Sequence, residues 1–264
     1  KSAILLAALY ANSKTNISSN WITRNHTELM LKFFGCPISY SDKEITVMYG
    51  ELKGKQTLNI PGDFSSASFL ILATLLAKDS QIIIKNVGLN PTRTGFLRIM
   101  QMMGGKIKTS IDPNSNFELQ GTIEASSSEL RGINVPDNLV SLSIDELPLV
   151  CLAAACAKGT TTIRNASELR FKESDRIKAM TNLLSKLSIE AKEFKDGLII
   201  NGGIITGGEI DSFGDHRIAM TALIASACSK SDILVHDTSN IDTSFPNFVE
   251  TMNKLGMDII DPNN

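Results

Sequence analysis

Glu168-Leu-Arg-Phe-Lys-Glu-Ser-Asp-Arg176 packs three cationic and three carboxylate side chains around two apolar ones, Leu169 and Phe171. A planar guanidinium such as Arg176 can grip a carboxylate or phosphate through two hydrogen bonds, and Lys172 can act as a point charge beside it. Glu173, a carboxylate held among cations, is then available for proton transfer. The stretch also fits a solvated helix start. Ser174 and Asp175 are good cap residues, and an apolar stripe begins only at Ile177 and Met180. The stretch alone leaves both readings open, and its surroundings weigh on the choice.

Three further polar clusters stand just ahead of apolar runs: Pro61-Gly-Asp-Phe-Ser-Ser66, Ser143-Ile-Asp-Glu146 and Phe213-Gly-Asp-His-Arg217. Helix N-termini favour anions, by roughly 0.3–1 kcal/mol at exposed positions. Parallel packing of the three runs would bring these ends onto one face. Asp63, Ser65, Ser66, Asp145 and Asp215 are also competent N-caps. Capping explains neither His216 nor Arg217, so Gly214-Asp-His-Arg217 is the more specific signal. Arg24, in Thr23-Arg-Asn-His26, and Arg93, in Asn90-Pro-Thr-Arg93, both lie in loops. Arg24 is the better anion ligand, and Arg93 is expected to be solvated. His236 falls in a β-branched run and is expected to be structural. Lys14, Lys32 and the lysines near 188–195 are expected on solvated faces.

The elements that must position these residues form a repeat with a period of roughly 70 residues. Each copy opens with a small-residue apolar run: Ser2–Leu9, Ser66–Ala77, Leu147–Ala157 and Arg217–Cys228. A polar turn follows, then a β-branched strand such as Gln81–Lys85, Thr160–Arg164 or Ile233–His236. A loop then leads to an amphipathic helix ending near Gly35, Gly104 or Gly256. Two short strands close a copy, with Lys106–Thr109 and Phe117–Leu119 as one pair. The unit is therefore βαβαββ, in an α/β (α+β) chain. Its first helix is apolar nearly all round and must be buried. Residues 1–56 read as the last repeat of a preceding domain, and 57–264 as a domain of three repeats. Thr57-Leu-Asn-Ile60 is expected to open the second domain as a strand, with the boundary near Gln56.

Composition excludes several classes. The 264 residues are 42% apolar and 20% charged, as in a chain that buries a core. A net charge of -2 argues against a nucleic-acid surface. The four cysteines show no paired metal spacing, and three lie in or beside Ala-rich runs, which fits a reducing compartment without a disulfide framework. No apolar run reaches the roughly 18 residues of a membrane span. Lys1–Tyr10 has no initiator Met or charged n-region and starts inside a helical pattern, so the chain is expected to be a fragment.

Lys172-Glu-Ser-Asp-Arg176, Gly214-Asp-His-Arg217, Gly62-Asp-Phe-Ser-Ser-Ala67 and Thr243-Ser-Phe-Pro246 together resemble the 5-enolpyruvylshikimate-3-phosphate synthases. The resemblance covers essentially the whole chain, as roughly the C-terminal three-fifths of such an enzyme. It implies two domains of three βαβαββ units each, wrapped around buried parallel helices in an inside-out barrel. It implies transfer of the enolpyruvyl group of phosphoenolpyruvate to the 5-hydroxyl of shikimate 3-phosphate, with release of phosphate and with no metal or organic cofactor. A cytoplasmic enzyme, monomeric when complete, with no membrane or nucleic-acid partner is expected.

By the resemblance, Glu173 handles the methyl proton and Asp145 orients and deprotonates the hydroxyl. Arg176 and Arg217 clamp phosphoenolpyruvate, Lys172 reaches the shikimate ring, His216 sits beside the reacting phosphate, and Arg24 contacts the shikimate phosphate. Some members carry a lysine where this chain has Thr243, so no role is assigned there. The family's Gly-Ser-Lys-Ser segment and Arg-Pro loop have no counterpart in these residues, and sensitivity to the inhibitor glyphosate depends largely on that part. Two rival readings are UDP-N-acetylglucosamine enolpyruvyl transferase, with the same fold and donor, and a non-catalytic repeat scaffold.

Overall fold

The computed structural model describes residues 1–19, 22–54 and 57–261. The elements run α1 (Ser2–Ala8), β1 (Thr15–Ser18), α2 (His26–Phe33), β2 (Ile38–Tyr40), β3 (Glu44–Val47), α3 (Phe64–Leu76), β4 (Gln81–Gly88), α4 (Gly95–Met102), β5 (Lys106–Ile111) and β6 (Gln120–Ser126). Then come α5 (Asp137–Val140), a 3-10 turn (Ser141–Glu146), α6 (Leu147–Cys156), β7 (Thr160–Ile163), α7 (Arg176–Lys186), β8 (Ala191–Phe194), β9 (Gly197–Asn201) and β10 (Gly208–Asp211). The last are α8 (His216–Ala225), β11 (Ile233–His236), α9 (Ile241–Ser244) and α10 (Phe248–Lys254).

Helices α3, α6 and α8 are the expected apolar runs, and each packs on the other two. Their small residues permit this closeness. Ala153, Ala154 and Ala155 of α6 and Ala219 and Ala222 of α8 have no exposed surface. The N-terminal ends meet where Ser65 Oγ donates to Glu146 Oε1 at 2.7 Å and Arg217 Nη1 donates to the Asp145 carbonyl at 2.9 Å. At the far end, Cys156 and Cys228 touch, and Leu76 lines the same cavity. The three helices therefore run in one direction. Asp63 caps α3 by accepting from the Ser66 amide at 2.7 Å, and Asp215 caps α8 by accepting from the Arg217 amide at 2.9 Å.

Around the helices lie antiparallel three-stranded sheets β4-β6-β5 and β7-β9-β8, the parallel pair β10-β11, and a separate antiparallel sheet β1-β3-β2. None of these four described sheets closes into a barrel. The apolar core has two parts. One joins residues from Phe64 to Met252, and the other joins Leu5, Ala8, Leu31, Cys36, Ile45 and Val47. The outer helices α2 and α4 end as expected on Gly35 (φ +82°) and Gly104 (φ +96°), a backbone shape that disfavours any side chain.

Several expectations fail locally. Residues 57–60 form no strand, and among the described residues nearby the pairing present is an isolated parallel bridge between Gly62 and Val87. The boundary near Gln56 lies outside the described residues. The second closing strand begins at Gln120 and not at Phe117. Asp112 accepts from the Asn114 amide at 2.9 Å and Ser115 Oγ donates to the Asp112 carbonyl at 2.7 Å, which widens the turn. Phe117 is thereby released to pack on Phe33 of α2 at 5.7 Å. After α10 the described residues form no closing pair of strands. The helical stretch Asp137–Cys156, kinked at Ser143, has the length and hydropathy of a membrane span, contrary to the expectation from apolar runs. Its most apolar part is 78% buried inside the protein, as in a core helix.

Candidate active site

Helix α7 starts at Arg176 because Asp175 caps it, accepting from the Lys178 amide at 3.1 Å. Cap and site thus coincide in the same stretch. Arg176 is 1% exposed and crosses to the start of α8. Its Nε donates to Asp215 Oδ2 at 2.8 Å and its Nη2 to Asp215 Oδ1 at 3.2 Å, a two-point grip. The same Nη2 donates to Glu173 Oε2 at 2.6 Å. Ser174 Oγ completes Asp215 at 3.0 Å. Asp215 is fully buried, so this cap doubles as the counter-charge of a buried arginine. Burial would raise the Asp215 pKa, but the bonds and charge of Arg176 outweigh it and hold the carboxyl below its ordinary value.

Asp145 lies at the end of the 3-10 turn before α6, 15% exposed. Arg24 donates to its Oδ2, Lys172 Nζ lies 3.4 Å from its Oδ1, and Arg93 Nη1 lies 3.6 Å from Oδ2. Burial alone would raise its pKa. The charges of Arg217, Arg24 and Lys172 win and lower it to about 2. Lys172 also bonds Glu168 at 2.8 Å. His216 is half-buried, and burial together with the Arg217 charge keeps its ring below the usual imidazole pKa, so it is neutral near pH 7. Arg24 is carried by the loop before α2, where Lys1 Nζ donates to its carbonyl at 2.5 Å. Its neighbours fasten the same loop to the larger core, through Asn90 Nδ2 to Asn25 Oδ1 at 2.8 Å and His26 to Glu118 at 3.0 Å.

The structure thus links Arg24, Asp145, Lys172, Glu173, Arg176 and Arg217 at the entries to four helices, α2, α6, α7 and α8, with His216 adjacent to Arg217 in sequence. Three assignments need correction or addition. Arg93, expected to be solvated, is 9% exposed. Its Nη2 donates to Ser65 Oγ at 2.5 Å and lies 3.3 Å from Glu146 Oε1. Glu146, passed over in the sequence, is fully buried and also receives Arg217 Nη1 at 3.5 Å. The available signal was the acid pair Asp145-Glu146: if one carboxylate faces a cleft, its neighbour needs its own cation. Arg170 belongs to the charged stretch but is consumed locally by Asp175, Glu193 and the carbonyls of Phe194 and Lys195. His236 pairs with Glu209 across the β10-β11 sheet at 2.6 Å, a surface contact. Among the described residues, no three His, Cys, Asp or Glu side chains group as metal ligands.

A pH dependence follows from the two depressed carboxyls. A carboxyl lowered on folding stabilises the fold above its unfolded pKa, and that contribution is lost as pH falls through the folded value. The thermal midpoint should therefore hold above about pH 5 and drop between about pH 4 and 2. Asp145→Asn should make that drop shallower. A wild-type midpoint that stays level down to pH 2 would remove these ion pairs from the stability of the fold.

Comparison with known structures defines the class first. The fold matches EPSP synthase from Acinetobacter baumannii with a TM-score of 0.91 at 37% identity, over 97% of this chain and 60% of that one. The enolpyruvyl transferase NikO from Streptomyces tendae shares the fold alone, with a TM-score of 0.71 at 18% identity over 97% of this chain and 58% of that one. The fold is thus a mixed α/β fold matching EPSP synthase structures, with a charged cluster at the N-terminal ends of its buried helices.

Residues 1–252 match the family described as EPSP synthase (3-phosphoshikimate 1-carboxyvinyltransferase), and the chain belongs to that family. The 3-phosphoshikimate 1-carboxyvinyltransferase of Legionella pneumophila (strain Lens) is 45% identical over 260 residues, 98% of this chain and 60% of the relative. That of Methylococcus capsulatus is 42% identical over 259 residues, 98% of this chain and 59% of the relative. The chain therefore spans about three-fifths of the length of the curated relatives it matches.

Proposed function

We propose that this chain supplies the acid-base carboxylates and one anion clamp for transfer of the enolpyruvyl group of phosphoenolpyruvate to the 5-hydroxyl of shikimate 3-phosphate, in the shikimate route to aromatic amino acids. The observation that carries the proposal is the Asp145–Lys172–Arg176–Glu173 cluster, in which two carboxylates of different exposure share one cationic surround. The reaction needs a proton delivered to the methylene carbon of the enol and one withdrawn from the attacking hydroxyl. Elimination of phosphate then takes a proton back from the methyl group. Glu173, 52% exposed and hydrogen-bonded through one oxygen only, fits the carbon proton transfers. Asp145 fits the hydroxyl side. With a pKa of about 2, set by the protein's own cations, it is by itself a poor base. A shikimate phosphate bound on Arg24 would offset part of the charge that depresses it and raise its basicity when the acceptor is in place. Arg176 and Arg217 are assigned to phosphoenolpyruvate, Lys172 to the shikimate ring, and the neutral His216 to the departing phosphate.

The same reading makes residues 1–56 the last repeat of an N-terminal domain and 57–264 a C-terminal domain of three βαβαββ repeats, in an inside-out barrel. The two separate apolar cores support that division. The complete protein is proposed to be a cytoplasmic monomer. Against a scaffold stands the buried arginine-carboxylate network, which repeat packing does not require.

The test is a chimera in which this chain replaces the matching three-fifths of the Legionella pneumophila relative. It should release phosphate from phosphoenolpyruvate and shikimate 3-phosphate, and the 264-residue chain alone should not. Turnover only with UDP-N-acetylglucosamine as acceptor would overturn the choice of substrate. A folded chimera that binds neither substrate would favour the scaffold.

A further inference from the structure

At the end of the helix bundle remote from Asp145 and Arg217, Cys156 closes α6 and Cys228 follows α8, with their sulfur atoms 3.3 Å apart. They are 72 residues apart in sequence and both partly exposed. They face a cavity of about 330 Å3 that Leu76, Ile205, Glu129, Lys158 and Lys230 also line. A disulfide needs its sulfurs about 2.05 Å apart, so a closure of a little over 1 Å would join them. The other two cysteines differ. Cys36 and Cys151 are buried, and burial pushes the Cys151 thiol up to about 12.

We propose that Cys156 and Cys228 form a peroxide-responsive dithiol, a modification site separate from the charged site at the opposite end of the same helices. Thiol chemistry favours Cys228 as the attacking sulfur. The Cys156 S–H beside it stabilises its thiolate and lowers its pKa, and the same contact, with burial, raises that of Cys156. Lys230 and Lys158 add positive charge to the cavity, the latter offset by Glu129 at 2.6 Å.

The chemistry balances with hydrogen peroxide as the oxidant. Cys228 sulfur attacks one peroxide oxygen, the O–O bond breaks, and hydroxide leaves with the thiol proton as water. The sulfenic acid so formed is attacked by Cys156 sulfur. The S–O bond breaks, hydroxide leaves with the second thiol proton as a second water, and the S–S bond forms. Two thiols are oxidised and one peroxide is reduced by two electrons.

The experiment treats the reduced 264-residue protein with hydrogen peroxide, then counts free thiols in denaturant and maps the peptides. The expected result is a fall from four thiols to two, a mass loss of two hydrogens, and a Cys156–Cys228 crosslinked peptide, all reversed by dithiothreitol. Thermal melting should shift upward by roughly 4–8 °C on oxidation, since the bond closes a long loop. Cys156→Ser should leave Cys228 as a sulfenic acid that traps with dimedone. Oxidation that adds oxygen to separate cysteines of the folded wild-type protein without a crosslink would overturn the proposal. So would a crosslink that uses Cys36 or Cys151, or four thiols surviving.

Discussion

Replacing Arg176 by methionine should destabilise the folded chain by about 3–5 kcal/mol, because the change strands a buried carboxylate. Asp215 has no exposed surface, and Arg176 is its charge partner. Ser174 and the Arg217 amide would remain as donors, yet neither carries a side-chain charge to the carboxylate. The measurement is urea unfolding, with the midpoint compared at equal slope. The double variant Arg176→Met/Asp215→Asn separates causes. It removes both charges, keeps an amide able to cap α8, and should recover a large part of the loss. If the single variant unfolds at the wild-type midpoint, the pair contributes nothing to stability and Arg176 is held only for a ligand.

Glu173→Gln should do the reverse: turnover in the chimera should fall about 10²-fold or more while the unfolding midpoint hardly moves. Glutamine keeps the size and a hydrogen-bond acceptor for Arg176, but it cannot exchange a proton. Glu173 is half-exposed, and an ion pair so placed contributes about 0–1 kcal/mol to folding. The contrast with Arg176 is diagnostic, because the two residues touch at 2.6 Å. A large stability loss with near-normal turnover would make Glu173 a structural partner of Arg176 and remove it from the proposed proton transfers.

The three buried helices were legible because they are written in residues that only a fully buried helix tolerates, such as Leu-Ala-Ala-Ala at 152–155. The gathering of Asp145, Arg176 and Arg217 was legible for a related reason: charged clusters precede those helices, and parallel packing leaves them one face to share. Arg93 was not legible. Its burial depends on Glu146, 53 residues away, and a lone arginine in a polar loop has no sequence mark of that partner. Phe117 was misplaced because strand patterning counts apolar residues without knowing which sheet or helix they will meet. Its contact is Phe33, on an element 84 residues earlier. The dual role of Asp215 was half legible. The cap was written locally, and the buried arginine it neutralises was not.

The internal pairing of the site bears on how it tells ligands apart. Its cations already hold carboxylates: Arg24 and Lys172 hold Asp145, Arg93 holds Glu146, and Arg176 holds Glu173 and Asp215. On the proposed function, an incoming anion must trade places with a carboxylate of the protein. Chloride or a single inorganic phosphate trades one contact for another and gains little. A molecule whose several anionic groups match several cations at once makes the later contacts at high effective concentration, and for it the trade is favourable. On that function, selectivity against the ambient salts of a cell follows from the protein's own ion pairs, before any shape of substrate is sensed.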